Sequence, residues 1–496
     1  MNIKQVANAL NKEFNANINT DYYKHIEEWR QWWAGYVKSF HTFYETTDTG
    51  KKERKLYTMK MAKKICEDWA SYLLNEKTKI NIDHAATSKF LLGEETEQRE
   101  GGVLGDVNFW EEANRLVEKA FYSGTGAFVL KLDNLTVLNT GSVQASKETE
   151  LRLEYLPATC ILPITVRYGN ISEVAFASKV TERGEDYVYV EIHTQEDTGY
   201  VIENRYYQSK DGSLTKTALP AGIVERIHTG SPYPFFSIIK PNVVNVHDNQ
   251  LGLGCSVFAN AIDNLKGTDI AYNNFNRDLW LGGKKVFYNR ELTKTEIDKD
   301  GKHRTITPDD MLQQLFVSVG DEFVDDKKLI HEFNPSLRVQ DNKDAVQAQL
   351  DYLSFMCGMG TRHYQFDNNM RAANITATQY VGEKQELKQN ASKHGIVIEK
   401  ALQDIIRAIL WAGKFIKGEA IDPDAKIKVE FSDGYVISDE EKRAQDKQDV
   451  LEGLMMPWEY RMKWYNESEE DAKAILEGHK PTTFGGFKYP PGEDDL

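Results

Sequence analysis

Apolar residues recur with a helical period over most of this chain and with a period of two over one stretch. The segment "GLGCSVFANAIDNLKGTDIAYNNFNRDLWLGGKKVFY" (252–288) reads as one long helix, a glycine pair and a strand. Ser256 is positioned as its N-cap and Gly282-Gly283 as its stop. Phe258, Ile262, Leu265, Tyr272, Phe275 and Leu279 fall on one stripe, with Asn260, Asp263, Asn264, Lys266, Asn274 and Arg277 opposite. A helix of about 25 residues is roughly 38 Å long. A rod of that length with an apolar stripe needs something to cover it.

Residues 1–80 have a helical pattern. "KLYTMKMAKKICEDWASYLLNEKTKINID" (55–83) puts Met59, Ala62, Ile65, Cys66, Trp69, Tyr72 and Leu73 on one face before a "KINID" strand. A helix is expected over 107–122 and a strand over 126–133. From about 150 to 210 the period changes to two. "LRLEYL", "ISEVAFASKV", "DYVYVEIHT" and "GYVIENRYYQS", separated by turn signals, predict an antiparallel meander. Residues 211–250 are rich in loop signals.

After the long helix comes a small β-rich module (284–339) with strands expected at "KKVFY", "QLFVSV" and "LIHEF". A second helix (342–359), an aperiodic loop (360–375) and a long helix (376–418) follow. Gly395 sits inside that long helix, where a kink would have a cause. A strand is expected at 426–434. The acidic remainder is helical, with capping boxes at Ser438/Glu441 and Ser468/Asp471, Pro457 as a helix opener, and a tail. The pattern is α+β. A module flanked by two helices of similar length is carried out from the body and back, and the rod at 256–281 is the outward leg.

Composition narrows the function. A formal charge of −15 argues against a tight, non-specific nucleic-acid binder, but not against DNA that must slide past without sticking. Cys66, Cys160, Cys255 and Cys357 form no CxxC, which fits free thiols in a reducing compartment. No signal core and no membrane span are found, so no membrane partner is expected.

Little in the sequence carries catalysis. HExxH, CxxC and GxSxG are absent. "LGLGCS" (251–256) puts Cys255 at a helix start, where a thiolate can be stabilised; a small buried residue is the plainer reading. "SGTGAF" (123–128) places its glycines before a strand, the wrong order for a phosphate loop. His363 and His394 read as ordinary surface or capping residues. The acid pairs Asp309-Asp310 and Asp325-Asp326 read as solvated turns, and the aromatics of 21–44 as a packing seam. Neither metal nor cofactor is implied.

Several stretches together resemble the portal proteins of tailed bacteriophages. "AKKICEDWASYLLNEKTKINI" (62–82) resembles the family's early helix and strand. Residues 251–287 resemble its glycine-serine segment and following helix. "NITATQYVGEK" (374–384) resembles the opening of its long helix, and "YLPATCILPITVRYGNISEVAF" (155–176) its wing sheet. The likeness is greatest to portals of phages of Gram-positive hosts.

The resemblance implies a portal fold. Residues 1–250 would be the first part of a wing, 251–283 and 341–359 the two stem helices, and 284–340 a small α/β clip. Residues 360–375 would be a tunnel loop, 376–435 a long kinked helix and wing strand, and 436–496 a short crown and tail. It implies a homo-oligomeric ring, usually a dodecamer, at one capsid vertex of the virion, made in the host bacterial cytoplasm. Double-stranded DNA is packaged and ejected through it. Terminase large subunit, major capsid and scaffolding proteins, and a head–tail adaptor would be its partners.

On that reading Arg362, His363, Asn368, Asn369 and Arg371 face DNA from the loop, or the arginines pair with acids of a neighbouring subunit. Lys343, Gln347 and Gln349 face the channel. The stripe Phe258, Ile262, Leu265, Tyr272, Phe275 and Leu279 forms the subunit interface, and Gly395 is the hinge. Two other readings stand beside it. One is a nucleotide-dependent enzyme using the glycine segments; the other is a virion protein that does not enclose DNA.

Overall fold

The helical period at the start of the chain becomes α1 (Ile3–Phe14), α2 (Tyr23–Ala34), the short α3 (Lys38–His41) and α4 (Met61–Leu73), with the hairpin β1 (Thr42–Thr47) and β2 (Gly50–Lys55) before α4. In the computed structural model the described residues are all except 1–2, 15–17, 19, 48–49, 76, 95–98, 139, 211–212, 248–251, 290–293, 298–302, 307–315, 320–329, 366–376, 432–438, 466 and 479–496. The chain divides into two units, residues 1–432 and 433–496.

In α4, Met61, Ala62, Ile65, Cys66, Trp69, Ala70 and Leu73 are buried, the stripe the spacing predicts. Met59 lies before the helix instead of on it. β3 (Lys79–Ile82), α5 (Ala85–Leu92) and α6 (Gly102–Asp106) lead to α7 (Phe109–Ser123), which packs on α4 through Trp69 and Phe121. β4 (Gly126–Asp133) follows, then the short pair β5 (Thr136–Val137) and β6 (Val143–Gln144), and β7 (Glu150–Pro157).

The meander is β8 (Ile161–Arg167), β9 (Asn170–Glu182), β10 (Glu185–Glu196), β11 (Gly199–Lys210) and β12 (Ser213–Thr217). The short β13 (Arg226–His228) adds to β11. All its pairings are antiparallel. Val188, Val190 and Ile192 line one face of β10 under Val6, Ala7 and Leu10 of α1. Glu191 and His193 are buried on the other. β14 (Phe236–Ile239), β4 and β7 make a second sheet. Its Lys131 pairs with Glu191, whose other oxygen accepts from His193 Nε2 at 2.7 Å. Burial acts to raise the Glu191 carboxyl, but Lys131 and His193 outweigh it and hold it at about 2.

α8 (Ile262–Leu281) begins later than the sequence suggests and ends at Gly282, as expected. Then come β15 (Lys285–Asn289), β16 (Lys294–Ile297), β17 (His303–Ile306), β18 (Phe316–Val319) and β19 (Ile330–Phe333). The three expected strands join in one sheet, with β15 parallel to β18 and antiparallel to β19. The β16–β17 hairpin is extra, because "KTEI" and "HRTI" carry too few apolar residues to signal a strand. α9 (Val339–Met356) returns along α8.

α10 (Ala377–Ala412) runs unbroken through Gly395 and ends in a π turn at Gly413–Lys417, and β20 (Ile427–Glu430) pairs with β3. A Cβ on Gly395 would meet the Phe431 ring at 3.5 Å, an ordinary contact. Gly395→Ala is therefore expected to stabilise the unit by about 0.5–1 kcal/mol, seen as a higher urea midpoint.

Beside Gly395, His394 is buried among Trp69 and Phe121 and accepts from Asn242 N–H at 2.9 Å. Burial pushes its imidazole down to about 3 from 6.5. Unfolded, the ring takes up a proton near its ordinary value; folded, it does not. Stability from this group is complete above that ordinary value and falls as pH drops toward the folded one. At about pH 5 the loss is about 2 kcal/mol. His394→Gln should flatten the dependence of the urea midpoint on pH across this window.

The second unit holds α11 (Asp439–Glu452), α12 (Pro457–Tyr465) and α13 (Glu469–Gly478). Pro457 opens α12 as expected. Ser468 caps α13, its Oγ accepting from Asp471 N–H at 3.1 Å. Ser438 lies outside the described residues.

Candidate functional site

The two glycine segments that raised the possibility of chemistry meet each other. Gly124 has φ +81, and a Cβ there would sit 2.3 Å from the Gly254 carbonyl oxygen. A Cβ on Gly254 would sit 2.3 Å from the Gly124 oxygen. Gly254 N–H donates to Thr125 Oγ1 at 2.9 Å, and Tyr22 OH donates to Gly254 O at 2.7 Å. These groups are therefore taken up by packing. Burial pushes the Cys255 thiol up, the opposite of an activated thiolate.

The same contact delays α8. Ser256 Oγ donates to Phe121 O at 3.2 Å and accepts from Phe258 N–H at 3.4 Å, and Val257 N–H donates to Phe121 O at 2.9 Å, so Ser256 fastens the chain to α7 and also holds the turn that leads into α8. Phe258 is fully buried ahead of α8, and Leu265 is buried on it. Neither is available on the subunit surface. Ile262, Tyr272 and Phe275 are half-buried and Leu279 is exposed.

α8 and α9 lie close where Gly267 faces Gln349, whose Oε1 would be 2.5 Å from a Cβ at 267. At the far end Arg338 and Asn342 both donate to the Asp278 carboxylate, at 2.7 and 3.0 Å. At the near end Asp269 is buried. Its Oδ1 accepts from Met59 N–H at 2.8 Å and its Oδ2 faces His41 Nε2 at 3.0 Å. Val37 N–H donates to His41 Nδ1 at 2.8 Å, which sets the Nε2–H tautomer. Periodicity passes over Asp269, because an acid inside a half-polar helix gives no sign of being buried.

The outer sides of the pair carry unburied apolar groups: Trp280 at 59% exposure on α8, and Tyr352 at 61% and Phe355 at 52% on α9. Lys343 is exposed. Gln349 is turned to α8. Gln347 donates to Asp351 Oδ1 at 2.8 Å and to Tyr364 O at 2.9 Å.

The chain leaves α9 through Gly358, Gly360 and Arg362, all at positive φ. Asn390 Nδ2 holds the Gly358 oxygen at 2.9 Å. Tyr364 OH donates to Asp68 Oδ2 at 2.9 Å, and His363 Nε2 lies 3.2 Å from Tyr72 OH. His363 is thereby turned into the subunit, while Arg362 is exposed. Burial acts to raise the Asp68 carboxyl, but His363 and Lys64 outweigh it and hold it below its usual range. The clamp joins α4, which the resemblance marks as a family segment, to the start of the expected loop. Asn368, Asn369 and Arg371 lie outside the described residues.

Among the described residues no group of three or more His, Cys, Asp or Glu could hold a metal ion, and no helix is long and apolar enough to cross a membrane. A family model described as phage portal protein, SPP1 Gp6-like, matches residues 12–480, nearly the whole chain. The chain belongs to this phage portal protein family. It is thus a bacteriophage virion protein of the head–tail connector. No curated protein matches it. Within a portal chain, the paired α8 and α9 with the small sheet between them and the clamped start of the 360–375 segment are the features on which a function can be built.

Proposed function

We propose that this portal protein forms a closed ring at one capsid vertex and passes double-stranded DNA through its axis during packaging and ejection. α8 and α9 act as the stem, 284–340 as the clip, and 360–375 as the tunnel loop. Residues 1–250 and 376–435 act as the wing and 436–496 as the crown. The ring docks the terminase large subunit, capsid and scaffolding proteins, and a head–tail adaptor. It is not an enzyme; the terminase supplies the energy.

The observation that carries this reading is the α8–α9 pair with aromatic side chains left exposed on its outer sides. One subunit cannot cover them, whereas repetition about an axis can, and a heterologous contact that closes on itself gives a ring. The net charge of −15 supports passage without retention, since few phosphate contacts mean little retarding affinity.

Axial electron-microscopy views of the purified protein test this: rings with an open central hole are expected, and a compact dimer without a hole would end the reading. Deleting 366–375, beyond the Tyr364–Asp68 clamp, should leave rings intact and abolish packaging or retention of DNA. Loss of ring assembly would instead make the segment structural. If Gly395 is a hinge, Gly395→Ala rings should package poorly although the subunit is more stable.

A further inference from the structure

The hairpin β1–β2 is built but not covered. Its register runs from Thr42 opposite Lys55 to Thr47 opposite Gly50. Every residue of β2 is exposed, as are Phe43 and, at 64%, Tyr44. Both outer edges are unpaired among the described residues. A lone two-stranded ribbon is marginal in water, and open edges invite a partner.

Its base, by contrast, is fixed. Leu56 N–H donates to His41 O at 2.8 Å, Tyr36 OH bonds Thr42 Oγ1 at 2.6 Å, and Tyr57 N–H donates to Asn273 Oδ1 at 3.3 Å. With the His41–Asp269 bond, these place the hairpin beside α8 at the level of residues 269–273. Because Gly267 faces Gln349 and Asp278 faces Arg338 and Asn342, that level corresponds to residues 343–347 of α9.

An exposed stripe runs along α9 through that level: Asp341, Asp344, Ala345, Ala348, Tyr352 and Phe355, at helical spacing. It is acidic at one end, small in the middle and aromatic at the other. The hairpin strands carry Lys51, Lys52, Arg54 and Lys55 against Glu45 and Glu53, with Phe43 and Tyr44 exposed. The two surfaces are complementary in charge and both carry aromatic groups.

We propose that the hairpin of one subunit lies on the outer stripe of α9 of the next copy of this chain. The inference rests on the ring reading. Rotation about the ring axis carries the hairpin to the neighbour at the same level of the stem, where the acidic end of the stripe lies. Donor and acceptor are different surfaces, as a ring contact requires.

Charge reversal tests it, with assembly followed by mass photometry over a dilution series. Lys51 and Lys52 lie on opposite faces of the ribbon, so Lys51→Glu with Lys52→Glu reverses the charge on whichever face meets α9 and should raise the concentration for half-assembly roughly tenfold. Asp341→Lys with Asp344→Lys should do the same. Mixing all four changes in one chain should restore assembly. The variant monomers should lose no more than about 1 kcal/mol, from Glu45 opposite residue 52 and from the first turn of α9 with its Gln340–Asp344 bond, and urea unfolding measures that loss apart from assembly.

Wild-type-like assembly of the hairpin variant would overturn the inference while leaving the ring intact. Weakening without rescue would overturn α9 as the acceptor. Failure of the wild-type chain to form rings at all would instead overturn the ring reading, and this inference with it.

Discussion

Gly124→Ala is expected to destabilise the first unit by at least ~3 kcal/mol. Two costs add. The residue is held at φ +81, where an L side chain is strained by about 1 kcal/mol or more. Its new Cβ would also lie 2.3 Å from the Gly254 oxygen and 2.7 Å from Cys255 Cα, both backbone, so neither can swing aside. The segment would have to move, taking with it the Gly254–Thr125 and Gly254–Tyr22 bonds that lead the chain into α8.

Equilibrium urea unfolding measures the loss. Gly254→Ala should cost a similar amount, and the double variant less than the sum, because both changes break one contact. An unchanged midpoint for Gly124→Ala would remove the close approach. Loss of ATP binding by a variant of unchanged stability would revive the nucleotide reading.

This contact also shows what the sequence could not convey. "SGTGAF" and "LGLGCS" look like two separate signals because they lie about 130 residues apart; only the fold brings them together as mutual clearance. Local patterns were readable. The α4 stripe, the meander, the strands at 285–289, 316–319 and 330–333, the Gly282 stop and the Pro457 opener all follow from spacing and turn chemistry. The start of α8 did not, because a turn and a 3-10 segment at Ala259–Ala261 come between Ser256 and the helix, and Ser256 is fixed to Phe121 by a contact that no local pattern shows. His363 looked like a loop residue facing outward. Its partners Tyr72 and Asp68 belong to a helix almost 300 residues earlier, so nothing local announced its inward turn.

Asp269→Ala is expected to have the second large effect, and it acts on the anchor of α8. The carboxylate is buried and accepts from Met59 N–H and His41 Nε2–H together. Truncation leaves a backbone N–H and an imidazole N–H without their acceptor in a site with little water. Unmet buried donors of this kind cost about 1–3 kcal/mol each, so the total is ~3 kcal/mol or more. Met59 precedes α4, and His41 ends α3 next to the β1–β2 hairpin, so both elements lose their buried tie to α8 and the longer Tyr57–Asn273 bond remains.

Amide exchange at Met59 should quicken by roughly a hundredfold if opening follows the lost bond. Asp269→Asn keeps one carbonyl acceptor and should recover part of the loss. If the hairpin meets the neighbouring α9 as proposed, rings of Asp269→Ala should also dissociate more readily, since the Tyr57–Asn273 bond would be left to hold the hairpin base to α8. Unchanged exchange at Met59 would show that the buried carboxylate is not the anchor of α8.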